Sequence, residues 1–204
     1  MTDALRERLI EHQPSWQMGL ALTIGRHTRR RNNAVRQLLW SDLDFDTQMI
    51  RWRSETDKAG RANVTFMPEE IIEPLRTAPS RGIGDAPVFP SATDPSVPTS
   101  RDTFQIWLRR AKARLLRSVA DATERERIRL ELSGVGYHAE KRAGVRDPLF
   151  RALPPKIQEA WAGTRFDTLR TIYDDVAPED MRTAVSAVRA AIDTRNRHQA
   201  SKSG

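Results

Sequence analysis

The apolar period of this chain changes once, and that change limits the folds open to it. From Thr2 to Leu39 the apolar residues recur at helical spacing. Between residues 49 and 67 they alternate instead, with Ile50 and Trp52 set against Arg51 and Arg53, and Ala62, Val64 and Phe66 set against Asn63 and Thr65. A period of two over two short runs, joined by the polar stretch Glu55-Thr56-Asp57-Lys58-Ala59-Gly60-Arg61, predicts a β-hairpin. Leu43 and Phe45 are placed to add a short third strand. After Pro68 the helical period returns. The expected fold class is therefore α+β and mainly α-helical, with one small antiparallel sheet near residues 43–67.

The helical part divides at its breakers. Leu5, Leu9 and Ile10 form one stripe, and after Pro14 a second runs through Trp16, Leu20, Ala21 and Ile24. A third helix is expected over 31–39, with Val35, Leu38 and Leu39 inward, and a short one over 69–76. Residues 78–100 are rich in Pro, Gly and Ser and read as a loop, anchored by Val88-Phe89-Pro90. A long helix follows, with Phe104, Trp107, Leu108, Ala111, Leu115 and Val119 on its inner face and Arg109, Arg110, Lys112, Arg114 and Arg117 outside. Residues 121–134 read as a helix end and connector. Further helices are expected from Tyr137 and after Pro154-Pro155, then a segment over 167–173 and a last helix over 179–195. Trp40, Trp52 and Trp107 are expected in the core. One domain over 1–196 with a disordered tail over 197–204 accounts for the 204 residues.

The chain carries 34 Lys and Arg against 27 Asp and Glu, a formal charge of +7. Such a surplus draws polyanions at long range. There is no cysteine, which excludes disulfides, thiolate metal sites and a cysteine nucleophile. His12, His27, His138 and His198 have no metal-ligand spacing. No apolar run approaches a membrane span and no signal-peptide core opens the chain, so a cytoplasmic location is expected.

The stretch Thr28-Arg29-Arg30-Arg31-Asn32-Asn33-Ala34-Val35-Arg36-Gln37-Leu38-Leu39-Trp40-Ser41-Asp42-Leu43-Asp44 is similar to the first signature of the tyrosine recombinases, the phage-integrase family. There a Thr-Gly-x-Arg run opens a helix, and Trp-x-Asp-hydrophobic-Asp follows nine residues after the arginine. Counting back from Trp40 puts Arg31 in the arginine slot, with Arg29 where the family has glycine and Ala34 where it has an acidic residue. Lys58 falls at the hairpin-turn lysine. Gly136-Tyr137-His138-Ala139-Glu140-Lys141-Arg142 resembles the His-x-x-Arg signature, with His138 matching, Lys141 in the arginine slot and Arg142 in the flanking basic position. Gly163-Thr164 stands where the family has Gly-His or Gly-Trp, and Tyr173, nine residues on, falls at the nucleophile. Ala177-Pro178-Glu179-Asp180-Met181 also resembles the family. The likeness runs over about residues 16–185.

The resemblance implies DNA strand cleavage and rejoining, as in DNA integration and recombination by mobile elements. A tyrosine oxygen attacks a backbone phosphate, giving a 3′-phosphotyrosyl link, and no metal or other cofactor takes part. Forked guanidinium donors suit the charge that grows on the nonbridging oxygens. In this chain Arg31 would be such a donor, His138 would handle the tyrosine proton, Lys58 would protonate the leaving 5′-oxygen, and Tyr173 would attack. Lys141 keeps the charge of the second arginine but not its fork, and Thr164 offers one short hydrogen bond. The enzyme reading therefore stands beside another: a truncated or degenerate relative that binds DNA or a recombinase partner without cutting. In either case double-stranded DNA is the implied partner, with phosphate contacts from Arg29, Arg30, Arg36, Arg142 and the basic helix. The helix over 179–195 would dock on a second copy, as in the family. Only about 25 residues precede the first signature, so the family's preceding DNA-clamping domain is expected to be missing.

Overall fold

A computed structural model describes residues 2–57 and 60–173, the last three by backbone alone. The turn residues 58–59, the expected helix over 179–195 and the tail lie outside the described residues. The helix α2 (Trp16–Thr28) sits at the centre. Ser15 caps it, its hydroxyl accepting from Gln17 N–H, and nine of its thirteen residues are buried. Around it stand α1 (Asp3–Glu11), α3 (Asn32–Arg36), α4 (Glu69–Arg76), α5 (Arg101–Ser118) and α7 (Tyr137–Val145). The capping hydroxyls of Thr2 and Ser100 fix the starts of α1 and α5. The residues 121–134, expected as a connector, form a helix of their own, α6 (Ala122–Ser133). Asp121 caps it at 2.7 Å from Glu124 N–H, and Ile128 and Leu132 are its inner face. Two buried side chains on twelve residues leave little apolar period to read, and the cap carries the signal instead. The chain ends in three short helices, α8 (Pro148–Arg151), α9 (Pro155–Ala162) and α10 (Phe166–Tyr173).

The sheet has the order β1-β2-β3, with β1 Leu43–Asp44, β2 Met49–Trp52 and β3 Asn63–Phe66, all antiparallel. Ile50 pairs with Leu43 on one side and Thr65 on the other. β3 faces the opposite way from what its alternation suggests. Val64 and Phe66 are 50% and 44% exposed, while Thr65 is buried. Its inward position is explained by the Thr65 hydroxyl, which accepts from the Trp52 indole N–H at 2.7 Å and satisfies the one polar atom of a fully buried tryptophan.

Trp40 and Trp52 are core residues as expected, and Trp107 packs against the core from its edge. The loop 78–100 is stitched to the first signature. Trp40 donates its indole N–H to Ser80 O at 2.9 Å and its backbone N–H to Ala86 O at 3.0 Å, and Val88 N–H reaches Leu38 O at 2.9 Å. Phe89, fully buried, meets Phe104 edge-on at 6.0 Å. Asp42 closes this corner, accepting from Leu39 N–H at 3.0 Å and Arg53 Nε at 3.1 Å with its side chain only 2% exposed. Asp42→Ala is expected to cost about 2 kcal/mol, because it leaves a buried N–H and a half-buried guanidinium short of an acceptor. Urea denaturation would measure it.

Two close approaches set α2 against α7. A methyl group on Gly144 would stand 2.2 Å from the Arg26 carbonyl oxygen, and one on Gly25 would stand 2.4 Å from the Tyr137 hydroxyl. That hydroxyl donates to Ala21 O at 2.8 Å. α7 therefore lies nearly against the backbone of α2. At its far end a second, smaller cluster joins Val145 of α7 to Phe150, Ala162 and Leu169 of α8 to α10. No helix among the described residues is long and apolar enough to cross a membrane.

Candidate basic groove and catalytic site

α2 ends at Thr28, and the next three residues are arginines that part company. Arg29 takes the left-handed conformation, φ 57°, that favours glycine, at the position where the family resemblance expects glycine. The turn is retained at a cost of order 1 kcal/mol for a residue with a Cβ. What offsets it is the side chain. The Arg29 guanidinium lies over Phe150 at 4.7 Å and Trp161 at 5.0 Å, Nε donates to Gly144 O at 3.0 Å, and a second nitrogen donates to His27 O. Burial pushes its pKa down to about 10, opposed by Asp147. Arg29 therefore pins the smaller cluster to α2, and its head is turned away from solvent.

Arg30 is also inside. Its guanidinium stacks on the Trp52 ring at 5.0 Å and donates from Nη2 to Ala160 O at 2.6 Å. Both arginines were expected at a phosphate-facing surface. A run of three basic residues gives no sign of which heads are buried, because that is decided by a single left-handed residue between two helices.

Arg31 alone of the three faces out. It is the residue just before α3, with extended backbone at φ −73° and ψ 151°, and it lines a groove of about 720 Å³. His138, at the start of α7, lines the same groove, as does a stripe of α5: Arg101, Gln105, Arg109 and Lys112. These α5 residues recur at steps of four, four and three, which is one face of a helix. Arg110, Arg114 and Arg117 of the same helix do not line the groove. Sequence reading named the basic helix from Arg109 onward and missed Arg101 and Gln105, whose spacing from Arg109 is the signal that finds them. Arg36 lines the groove too, while donating to Thr99 O at 2.8 Å. The Lys112 amine is committed to Leu132 O at 2.8 Å and to Val135 O, so it holds the α6–α7 link as much as it charges the groove.

His138 is exposed at the groove edge, and its pKa is lowered, first by partial burial and then by Lys141, Arg31, Arg142 and Arg101. A lowered value means a neutral ring at pH 7, able to accept a proton. Lys141, one helical turn on, is fully buried. Its Nζ donates to Thr164 Oγ1 at 2.7 Å and Ala162 O at 3.1 Å. The two positions that depart from the family's catalytic pattern thus touch each other. Burial, with Arg31 and Arg30 nearby, pushes the Lys141 pKa down to about 7, and Asp57 pulls the other way. Arg142 points elsewhere, into a separate hollow shared with Arg26 and Asp147. On a helix the next residue is turned by about 100°, so Arg142 does not share the position of Lys141. Lys58 lies outside the described residues. Tyr173 is the last residue of α10, and its side chain lies outside them too.

No family model matches the chain, and no curated protein does. Solved structures do. XerA recombinase matches with a TM-score of 0.66 at 17% identity, over 93% of this chain and 65% of that one. The Tn1549 transposon integrase in complex with transposon right end DNA matches with a TM-score of 0.68 at 15% identity, again over 93% of this chain and 65% of that one. The catalytic domain of bacteriophage HP1 integrase matches at 0.55 and 13%, over 91% of this chain and 92% of that one. The chain has the tyrosine-recombinase catalytic-domain fold. It spans about two thirds of the length of the first two structures and nearly all of the third, which is a catalytic domain by itself. Within the recombinase fold the α+β class and the small antiparallel sheet are as the sequence implied. At these identities the likeness is one of fold, and the chemistry has to be read from the residues.

Proposed function

We propose that this protein acts on duplex DNA as an integrase-like recombinase, cutting and rejoining a strand through a 3′-phosphotyrosyl link in the service of a mobile element. The observation that carries this reading is the meeting of Arg31 and His138, far apart in sequence, on one basic groove lined by α5. In it Arg31 gives two parallel N–H donors to the nonbridging oxygens of the scissile phosphate. His138, neutral at pH 7, takes the proton of the Tyr173 hydroxyl as that oxygen forms its bond to phosphorus. Lys58 delivers a proton to the departing 5′-oxygen. Arg36, Arg101 and Arg109 hold flanking phosphates, so affinity falls as salt rises. Self-association through residues 179–195 and a cytoplasmic location belong to the same proposal.

A second reading has its own observation. Lys141 is buried, and its amine is tied to Thr164 and Ala162 rather than turned to the groove. A site without its second forked donor loses roughly 3 kcal/mol of transition-state stabilisation, about a hundredfold or more in rate. A protein so placed would hold DNA, or a recombinase partner, without cutting it.

A nicked suicide duplex separates the two. The enzyme reading expects a covalent protein–DNA adduct that Tyr173→Phe abolishes, and a yield that rises when Lys141→Arg and Thr164→His are introduced together. Retained duplex binding with no adduct from any of these proteins would establish the binding module. No duplex binding at low salt would reject the enzyme and the DNA-holding module alike.

A further inference from the structure

Beside the groove lies a second cavity, of about 290 Å³, between the β2–β3 hairpin and the α9–α10 turn. Trp52, Glu55, Asp57 and Gly163 line it, together with Arg30 and Arg31. Arg31 also lines the groove, so one side chain forms a wall of both spaces. The volume is roughly ten times that of a water in the liquid, which leaves room for a phosphate group and its hydration.

Arg30 is what makes this cavity unusual. It is only 2% exposed, its face is stacked on Trp52, and of its three nitrogens only Nη2 donates to an acceptor among the described residues. Nε is buried with no partner. Nη1 lies against Gly163, where a Cβ would come within 2.0 Å of it, so glycine at this position leaves space for the guanidinium head. Gly163 also has φ 57°, and the sharp turn and the space for the arginine are met by the same residue. A guanidinium buried this deeply and under-supplied with acceptors is costly unless an anion completes it. The cavity has two carboxylates in its lining: Asp57, whose charge acts on both Arg30 and Lys141, and Glu55, which is paired with Arg53 at 3.1 Å. With Glu55 engaged by Arg53, Asp57 alone is left to face the two arginines.

We propose that this cavity is a phosphate-binding subsite, with Arg30 as its inner donor, Arg31 at its junction with the groove and Asp57 as a built-in competitor for the same charge. The ligand chemistry is a phosphate oxyanion, supplied either by the DNA backbone next to the phosphate at Arg31 or by free phosphate. The backbone case rests on the recombinase reading above. The free-phosphate case does not.

The test uses the full chain in chloride buffer, with Arg30→Met and Asp57→Asn. Inorganic phosphate is expected to raise the melting temperature of the wild-type protein. Arg30→Met should raise the half-saturating phosphate concentration about tenfold or more, as for loss of a charged hydrogen bond. Asp57→Asn should lower it roughly fivefold, because a competing charge is removed without change of shape. In parallel, duplex affinity is followed against salt. A slope shallower by about 0.9 in Arg30→Met assigns the cavity to a backbone phosphate. An unchanged slope with a lost phosphate response assigns it to free phosphate. If Arg30→Met does not fold, Asp57→Asn decides alone. A wild-type protein that binds no duplex but is stabilised by phosphate through Arg30 keeps this inference and rejects the recombinase reading. Duplex binding with equal slopes, and a phosphate response unmoved by either substitution, overturns the inference and leaves that reading standing.

Discussion

Raising the pH from 7 to 10 is expected to stabilise the folded protein by on the order of 4 kcal/mol through Lys141 alone, and Lys141→Met is expected to lose that gain. The cause is the position of one amine. Lys141 is fully buried behind Arg31 and Arg30, and its pKa stands at about 7 against roughly 10.4 for an unfolded lysine. Between those values the unfolded chain carries a proton on this group that the folded chain does not. Folding therefore releases a proton, and stability climbs with pH across that window and levels off above it. Below pH 7 both states are protonated and the penalty of the buried charge is fully felt. Arg29 and Arg30, at about 10, add to the trend only at its upper end, where Tyr137, with its pKa raised by burial, opposes them. Urea titrations at several pH values, wild type against Lys141→Met, isolate the lysine. Parallel curves would mean that the amine is solvated in solution and that its contact with Thr164 is not kept.

Gly144→Ala should be among the most damaging single methyl groups in the described part of the chain, with a loss of roughly 3 kcal/mol or failure to fold. The added carbon would meet the Arg26 carbonyl oxygen at 2.2 Å and the Arg29 Cγ at 3.1 Å. A carbonyl in the last turn of α2 cannot step aside as a flexible side chain can, so the two helices must separate. That joint carries the Arg29 Nε donation to Gly144 O and the Tyr137 hydroxyl bond to Ala21 O. It also sets the distance across the groove, because Arg31 follows α2 and His138 opens α7. Gly134→Ala is the comparison: nothing lies within 4 Å of its missing methyl and its φ is −90°, so the change should be neutral or slightly stabilising. Equal melting temperatures for the two variants would show that α2 and α7 do not approach this closely.

The elements that could be read from sequence are those with one dominant apolar face. α2, α5 and the hairpin declare themselves by period, and the spacing from Arg31 to Trp40 fixes the first signature because Trp40 and Asp42 are both built into the corner that follows it. β3 misleads, since its inner position is taken by a threonine that serves a tryptophan rather than by an apolar residue. α6 hides because only two of its side chains are buried. In the site, Arg31 and His138 are legible through motif spacing. The inward turn of Arg29 and Arg30 is not, because basic residues are ordinarily solvated and only stacking on Phe150, Trp161 and Trp52 brings these two inside. The contact between Lys141 and Thr164 is a meeting of two departures from pattern, and each looks like simple loss when read alone.

The smaller cluster under α8 to α10 has a bearing on how the chain breathes. Three of its four buried apolar residues, Phe150, Ala162 and Leu169, belong to these helices and are joined to the rest of the fold through Val145 of α7. Small peripheral units of this kind tend to open at lower free energy than the whole molecule. The backbone oxygens that receive Arg30 and Lys141 belong to Ala160 and Ala162, both on α9. When this unit opens, those two cations lose their acceptors together while the rest of the protein stays folded. Local opening of this unit is therefore expected to release the positive charge held behind Arg31, and substitutions at Phe150 or Leu169, remote from the groove, are expected to make that release more frequent.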